Sequence, residues 1–483
     1  MQQGRHNIIW IVLDTVRAES TSCYGYKRDT TPFLKSLANE SMFYSHAFSS
    51  APWTTPSHAG MFTGTLSVAH QTDRSNERLT PDLPSLATLL GETGYKTVGF
   101  SNNAHVSPDF DFDRGFHHFQ FNTESYNEPL DGGVPISRIR SNTSDGTWYE
   151  QLDEALQYIR DRDGSALKTV GNWIYRKASE NGWVGHSDRG AASTNEFVRK
   201  FLSNPQDQPF FLYLNYMEGH APYQSPDEFQ YRYTDDPLVS HWSSQEDYFG
   251  QTVEDQEQKI NALRDQYDGC ISYLDSKIEE LIEILRQKNQ FSNSMVVVTS
   301  DHGEAFGEWG LYEHKAGLYN ELTHVPLIIN TPKSESVDIS IPVSNRWLFS
   351  TSLKQAGVEV PEHAIDADLL NPSPKPVLME SEGLPYNDWV YDNGVSSRFS
   401  KPHEAIVMNN KKYIQYDTDD AELFEIQRES RTNQRFDSEE SETMGSKLRE
   451  LLTDAARSTR SDSCRDDTIT EETKSQLREL GYR

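Results

Sequence analysis

Asn7-Ile8-Ile9-Trp10-Ile11-Val12-Leu13-Asp14 is a continuous, largely apolar run rich in β-branched side chains, closed by a carboxylate. A strand apolar on both faces is covered on both, the mark of a parallel strand between two helical layers. Working outward, Thr31 and Pro32 read as the cap and first residue of a helix carrying Phe33, Leu34 and Leu37 on one side. A second helix runs from about Leu83 to Thr93, and Lys96 to Phe100 reads as the next strand. A helix near Thr194 to Leu202 precedes a strong strand, Pro209 to Met217. Ile260, Leu263, Tyr267, Ile271, Leu274, Ile278, Leu281 and Leu285 then recur at helical spacing and predict one long amphipathic helix. Met295 to Thr299 and Val325 to Ile329 are further buried strands. This alternation predicts an α/β fold with a central, mostly parallel sheet flanked by helices.

The predicted organisation is a catalytic domain over 1–370, with a polar insertion or lid at about 122–190. Val377–Met379, Ala405–Met408 and Lys412–Tyr416 look like short antiparallel strands, with Asn409-Asn410 as a hairpin turn. They predict a small C-terminal α+β subdomain over 371–427, followed by a charged tail with short helices over 428–483.

Acidic residues outnumber basic ones, 74 to 45, among 483, for a net charge of −29. That balance argues against nucleic acid as a partner, because no broad cationic surface exists to displace phosphate counterions. A chain this acidic resembles halophilic proteins and implies a requirement for salt. Cys23, Cys270 and Cys464 are scattered and form no disulfide or zinc framework. The apolar run at Ile8 is too short for a signal sequence, and no stretch approaches the ~20 apolar residues that span a bilayer. The expectation is a cytoplasmic, soluble protein without membrane partner, its oligomeric state left open.

Asp14 and Asp301 each follow a strongly apolar strand, and His302 adds a nitrogen beside Asp301. Loops at the carboxyl ends of parallel strands form the crevice of an α/β sheet. Two carboxylates and one imidazole there suit a single divalent ion: Ca, Mg, Mn or Zn. In Thr54-Thr55-Pro56-Ser57-His58, a hydroxyl stands at a helix start, where free N–H groups and the positive dipole end favour a sulfate or phosphate. Taken alone, either threonine reads as a plain cap. Beside a metal, the hydroxyl becomes a candidate nucleophile.

These motifs resemble the sulfatase family of the alkaline phosphatase superfamily. Thr54-Thr55-Pro56-Ser57-His58 with Thr63-Gly64 is similar to the signature C/S-x-P-S-R-x-x-x-x-T-G, and the first strand with Asp14 is similar to its opening metal motif. Ser300-Asp301-His302-Gly303-Glu304, with Gly307 and Gly310, resembles the later metal motif, and His324-Val325-Pro326-Leu327-Ile328-Ile329 its R-V-P-L-I-I stretch. Glu218-Gly219-His220-Ala221-Pro222-Tyr223 resembles the substrate-histidine loop. The resemblance implies an alkaline phosphatase-like fold, Thr54 as nucleophile, and Asp14, Asp301 and His302 as metal ligands. It implies that His220, with His314 or Lys315, meets the oxyanion or leaving group, and that His58 and Asn102 stand at substrate-facing positions. The departures are informative. Threonine cannot be oxidised to the family's formylglycine, so none is expected. His58 replaces an arginine, Thr15 a second aspartate, and Ser101-Asn102-Asn103-Ala104 the segment G-K-W-H. The expected activity is metal-dependent hydrolysis of small-molecule or glycan sulfate or phosphate esters, with phosphorus favoured. The alternatives are a phospho-group transferase acting through phosphothreonine and a non-catalytic oxyanion- or glycan-binding relative.

Overall fold

A computed structural model describes residues 5–122, 188–234, 253–314, 316–333, 335–384, 396–417, 420–426 and 439–457, with short pieces between 469 and 477. The predicted insertion at 122–190 lies almost wholly outside the described residues, as do Lys315 and much of the tail.

Among the described residues, the central sheet has eight strands in the order Val337–Ile339, Met42–Tyr44, Leu327–Asn330, Ser294–Ser300, Asn7–Leu13, Phe210–Tyr216, Lys96–Ser101, His118–Phe121. Asn7–Leu13 is parallel to both neighbours, with Leu13 opposite Ser300 on one side and Tyr216 on the other. Leu327–Asn330 alone runs antiparallel to the strands beside it. The architecture is thus mixed α/β with a mostly parallel sheet.

Side chains alternate across a strand, and here the alternation feeds two cores. Ile8, Trp10 and Val12 enter one cluster, and Ile9, Ile11 and Leu13 the other. The helix Val253–Gln287 covers the second face with Leu263, Tyr267, Ile271, Leu274, Ile278, Leu281 and Leu285. The helices Thr54–Thr63, Leu86–Glu92 and Leu348–Ala356 cover the first. Each large side chain so buried contributes roughly 1.5–3 kcal/mol, so the sheet is held from both sides and its ends are fixed.

Two local expectations change. The helix Pro32–Ala38 takes no cap from Thr31, whose hydroxyl accepts from the Ser22 amide at 2.8 Å. Its first-turn amides, Phe33 and Leu34, donate instead to the Asp275 carboxylate on the long helix, at 2.9 Å each. The helix expected from Leu83 begins at Leu86, because Ser85 is extended and its hydroxyl accepts the Thr88 amide.

A four-stranded antiparallel sheet follows: Val377–Ser381, His403–Met408, Lys411–Asp417 and Asp420–Glu425. Asn409 and Asn410 form its two-residue turn, both at positive φ, 52° and 61°. One face packs under the helix Glu439–Arg457 through Met444 and Leu448, while Val377, Met379 and Val407 join the larger core. Among the described residues, no helix is long and apolar enough to cross a membrane.

Candidate active site

The register of the parallel strands brings their carboxyl ends to one edge, and the candidate residues come with them. Asp14 follows Leu13, Asp301 follows Ser300, His220 lies just past Tyr216, and Asn103 just past Ser101. The turn after Asp14 is tight. Thr15 adopts φ 57°, a costly region for a β-branched residue. It is held there by its amide on Asp301 Oδ1 at 3.3 Å and by the Tyr267 hydroxyl on its carbonyl at 2.7 Å. Gly219 lets the neighbouring loop approach, since a Cβ there would sit 2.5 Å from the Asp14 carbonyl oxygen.

Ligand atoms of Asp14, Asp301 and His302 lie within 4.8 Å of one another, all buried. Asp14 Oδ2 accepts from Asn103 Nδ2 at 2.5 Å, and Oδ1 has no hydrogen-bond partner among the described residues. Asp301 Oδ1 accepts the His302 amide at 2.9 Å, and Oδ2 likewise has no hydrogen-bond donor among the described residues. His302 Nδ1 donates to the Gly303 carbonyl at 2.8 Å. A carbonyl only accepts, so the proton is on Nδ1 and Nε2 carries a lone pair. That lone pair faces Asp301 Oδ2 at 3.3 Å. Burial, then the neighbouring Asp301, pushes the Asp14 carboxyl well up, burial lifts Asp301 to about 7, and burial pulls His302 down. Buried acceptors without donors are costly. A buried cluster of two carboxylates, each with an unsatisfied oxygen, and one imidazole lone pair fits a divalent cation, which would reverse the carboxylates' upward shift.

Thr54 is the first residue of the helix Thr54–Thr63, whose N-cap residue, Trp53, makes no side-chain cap. Its hydroxyl stands 3.1 Å from His302 Nε2. Ser57 ties the helix to the metal-site loop, its hydroxyl donating to the Asp301 carbonyl at 2.6 Å. His58 lies beneath: its Nδ1 donates to the Thr54 carbonyl at 3.0 Å and sits 3.5 Å from Asp301 Oδ2. Burial lowers His58 to about 3, so the ring is neutral and the contact with Asp301 is not an ion pair.

His314 and His220 close the other side. The His314 ring centroid is 4.5 Å from that of His302 and 4.9 Å from that of His220. His220 Nδ1 donates to the Ala221 carbonyl at 2.6 Å, and burial, followed by His314, holds this imidazole well below its ordinary value. Asn102 is engaged elsewhere: its amide donates to Thr194 Oγ1 at 2.9 Å and to the Asn215 carbonyl at 2.8 Å. The site thus gathers Thr54, Asp14, Asp301, His302, His58, His220 and His314, with Asn102 behind it. Three residues had no assigned part in the sequence reading. Asn103 contacts Asp14, Glu304 contacts His314, and buried Arg17 donates to the Glu304 carbonyl at 3.2 Å. Glu304 lay inside the quoted metal motif and Asn103 one position beyond Asn102.

The family model described as Sulfatase matches residues 6–358. An uncharacterised sulfatase, YidJ, of Escherichia coli is 25% identical over 382 residues, covering 74% of this chain and 69% of its own. A choline-sulfatase of Rhizobium meliloti is 23% identical over 381 residues, covering 75% and 70%. Among solved structures, a phosphonate monoester hydrolase from Silicibacter pomeroyi superposes with a TM-score of 0.64 at 20% identity, over 94% of this chain and 96% of that one. The last likeness shows a shared fold. The family match spans the opening strand, the Thr54 helix and the Asp301-His302 loop, so this chain belongs to the sulfatase family and is an ester hydrolase.

Proposed function

We propose that the chain hydrolyses sulfate or phosphate esters in a metal-dependent reaction, with phosphorus the favoured centre and the Thr54 hydroxyl as nucleophile. The observation that carries this reading is the place of Thr54 Oγ1: it lies at the start of its helix, 3.1 Å from His302 Nε2, at the edge of the Asp14–Asp301–His302 cluster. A divalent ion (Ca, Mg, Mn or Zn) held by those three residues would favour the ionised hydroxyl and offset charge on the ester's oxyanion. Thr54 gives up its proton to solvent, and its oxygen forms a bond to phosphorus as the bond to the ester oxygen breaks, the bonding pair staying on the ester oxygen. The departing oxygen takes a proton from His220 or from either His314 or Lys315, as the family resemblance implies. Water then attacks phosphorus, phosphate leaves, and Thr54 regains its proton. His58 steadies Thr54 through the latter's carbonyl.

Phosphorus is favoured over sulfur because threonine cannot form an aldehyde hydrate, which leaves a sulfated threonine without an elimination route. The phosphonate monoester hydrolase among the structural neighbours is in keeping with that choice. The substrate is a small-molecule or glycan ester. The charge of −29 supports a working environment of high ionic strength, and the free thiols Cys23 and Cys270 accord with a reducing cytoplasm. The division at 370 and 427 is proposed from the change to antiparallel topology there.

The test compares 4-nitrophenyl sulfate, phosphate and phenylphosphonate as substrates of the wild type and Thr54→Ala. Thr54→Ala should lose turnover by on the order of 10³-fold or more while retaining bound metal, and acid-quenched wild type should show phosphothreonine by mass spectrometry. Near-wild-type turnover in Thr54→Ala sinks the assignment.

A further inference from the structure

Arg189 is buried, in the turn that enters the helix Ala191–Phe201. The reaction described above gives it no task. That turn is pinned from two sides. The Asp188 carboxylate accepts the Gly190 and Ala192 amides at 2.7 and 2.9 Å, and also the hydroxyl of Tyr273 on the long helix. The Glu218 carboxylate accepts the Ala191 amide at 2.8 Å. From this fixed base the Arg189 side chain reaches one short turn. Its Nη1 donates to the carbonyls of His220 and Pro222, the latter at 3.0 Å, and its Nη2 donates to that of Ala221 at 3.4 Å. Three successive carbonyl oxygens gathered in a buried place are costly unless donors meet them. A planar, permanently charged guanidinium supplies several N–H groups at fixed angles, which a compact ammonium does not. The same turn aims His220. Its amide donates to the Met217 carbonyl at 3.0 Å, and its ring Nδ1 donates to the Ala221 carbonyl, one of the three that Arg189 holds. Arg189 thus places the oxygen that in turn orients the His220 ring, 4.9 Å from that of His314.

We propose that Arg189 is a positioning residue for His220. Its guanidinium fixes the carbonyls of residues 220–222 and, through the Ala221 oxygen, the orientation in which the His220 ring meets the bound ester. This role rests on the ester hydrolase reading, in which His220 faces the oxyanion or the leaving group.

The experiment uses the full chain as wild type, Arg189→Ala, Arg189→Lys, His220→Ala and the double variant Arg189→Ala/His220→Ala, with 4-nitrophenyl sulfate, phosphate and phenylphosphonate as probes. Arg189→Ala should lower kcat on the order of 10–100-fold, leaving KM within a few-fold. The double variant should be no slower than His220→Ala, because the arginine acts through that ring. Millimolar guanidinium, far below denaturing levels, should restore part of the lost kcat in Arg189→Ala and saturate, whereas NaCl at equal ionic strength should not. Hydrogen–deuterium exchange reads the placement without turnover. The peptide covering 217–223 should exchange faster in Arg189→Ala, while the one covering 301–304 keeps its wild-type rate. Arg189→Lys, which keeps the charge, stands in if the alanine variant fails to fold in thermal unfolding; it should show the same local gain in exchange and a smaller loss of kcat. Full kcat in the variant that folds, multiplied losses in the double variant, or unchanged exchange at 217–223 overturns the proposal. So does full turnover in His220→Ala, since the turn would then be held for no catalytic purpose. A wild type inert toward every ester, with 217–223 loosened as expected in the variant, refutes the hydrolase reading and leaves the hold on the turn standing.

Discussion

Asn103 donates to Oδ2 of Asp14, a carboxylate with an oxygen within 4.8 Å of the ligand atoms of Asp301 and His302. Its loss therefore acts on how that carboxylate is aimed. Asn103→Leu, similar in size, should weaken divalent-ion binding on the order of 10–100-fold, read by competition with a chelator, with the unfolding midpoint little changed. Unaltered affinity would remove Asn103 from the site. Asp14 and Asp301 were legible in the sequence because each follows the last residue of an apolar strand, a local pattern with a fixed geometric meaning, and His302 is next to Asp301. Asn103 was missed by one position. Past Ser101 the chain leaves the strand, and contact with Thr194 and Asn215 turns Asn102 away. The pairing of Glu304 with His314 was also hidden, since it depends on how a loop closes over ten residues. Nor does a sequence announce that Thr15 takes a left-handed backbone; the donors and acceptors that hold it come from Asp301 and Tyr267.

At the scale of an element, what is local was readable and what is borrowed was not. The turn Asn409-Asn410 needs positive φ at both positions, and asparagine tolerates that better than most residues. Asn410→Val should cost about 1–2 kcal/mol, whereas Asn410→Gly should be neutral or slightly stabilising; urea unfolding measures both. Equal stability of the two variants would mean that the turn relaxes to another conformation. The helix Pro32–Ala38 is the opposite case, since its cap arrives from Asp275, far along the chain. Burial raises the Asp275 carboxyl from an ordinary 3.8 to about 7, against the pull of the two amides. The folded chain thus holds this proton more tightly than the unfolded one. The resulting stability is fully present below about pH 4 and is lost as pH rises through about 7. Asp275→Asn cannot titrate, so the wild type should lose ground to it between pH 4 and 7 in urea midpoints. A difference that stays flat, or moves toward the wild type with rising pH, contradicts the assignment.

Over the whole molecule, the two-faced core was foreseeable from Asn7–Leu13, because only a strand covered on both sides can be apolar throughout. The strand order was not. Asn7–Leu13 pairs with Phe210–Tyr216 and Ser294–Ser300, partners chosen by packing across most of the chain. Net charge is the other global property, and it sets a cost that no single contact reveals. At −29, the folded chain gathers like charges into a small volume, and their repulsion is released on unfolding. Salt shortens the reach of that repulsion, from roughly 10 Å at 0.1 M to roughly 3 Å at 1 M. Raising KCl over this range should therefore lift the unfolding midpoint by several degrees and level off near the upper end. NaCl and tetramethylammonium chloride should give the same rise at equal concentration, because screening depends on charge and not on ion identity. A flat or falling midpoint would mean that the acidic groups are already balanced locally, by ion pairs such as Arg28 with Asp265 and Asp268. A rise with one cation alone would point to specific binding instead of screening.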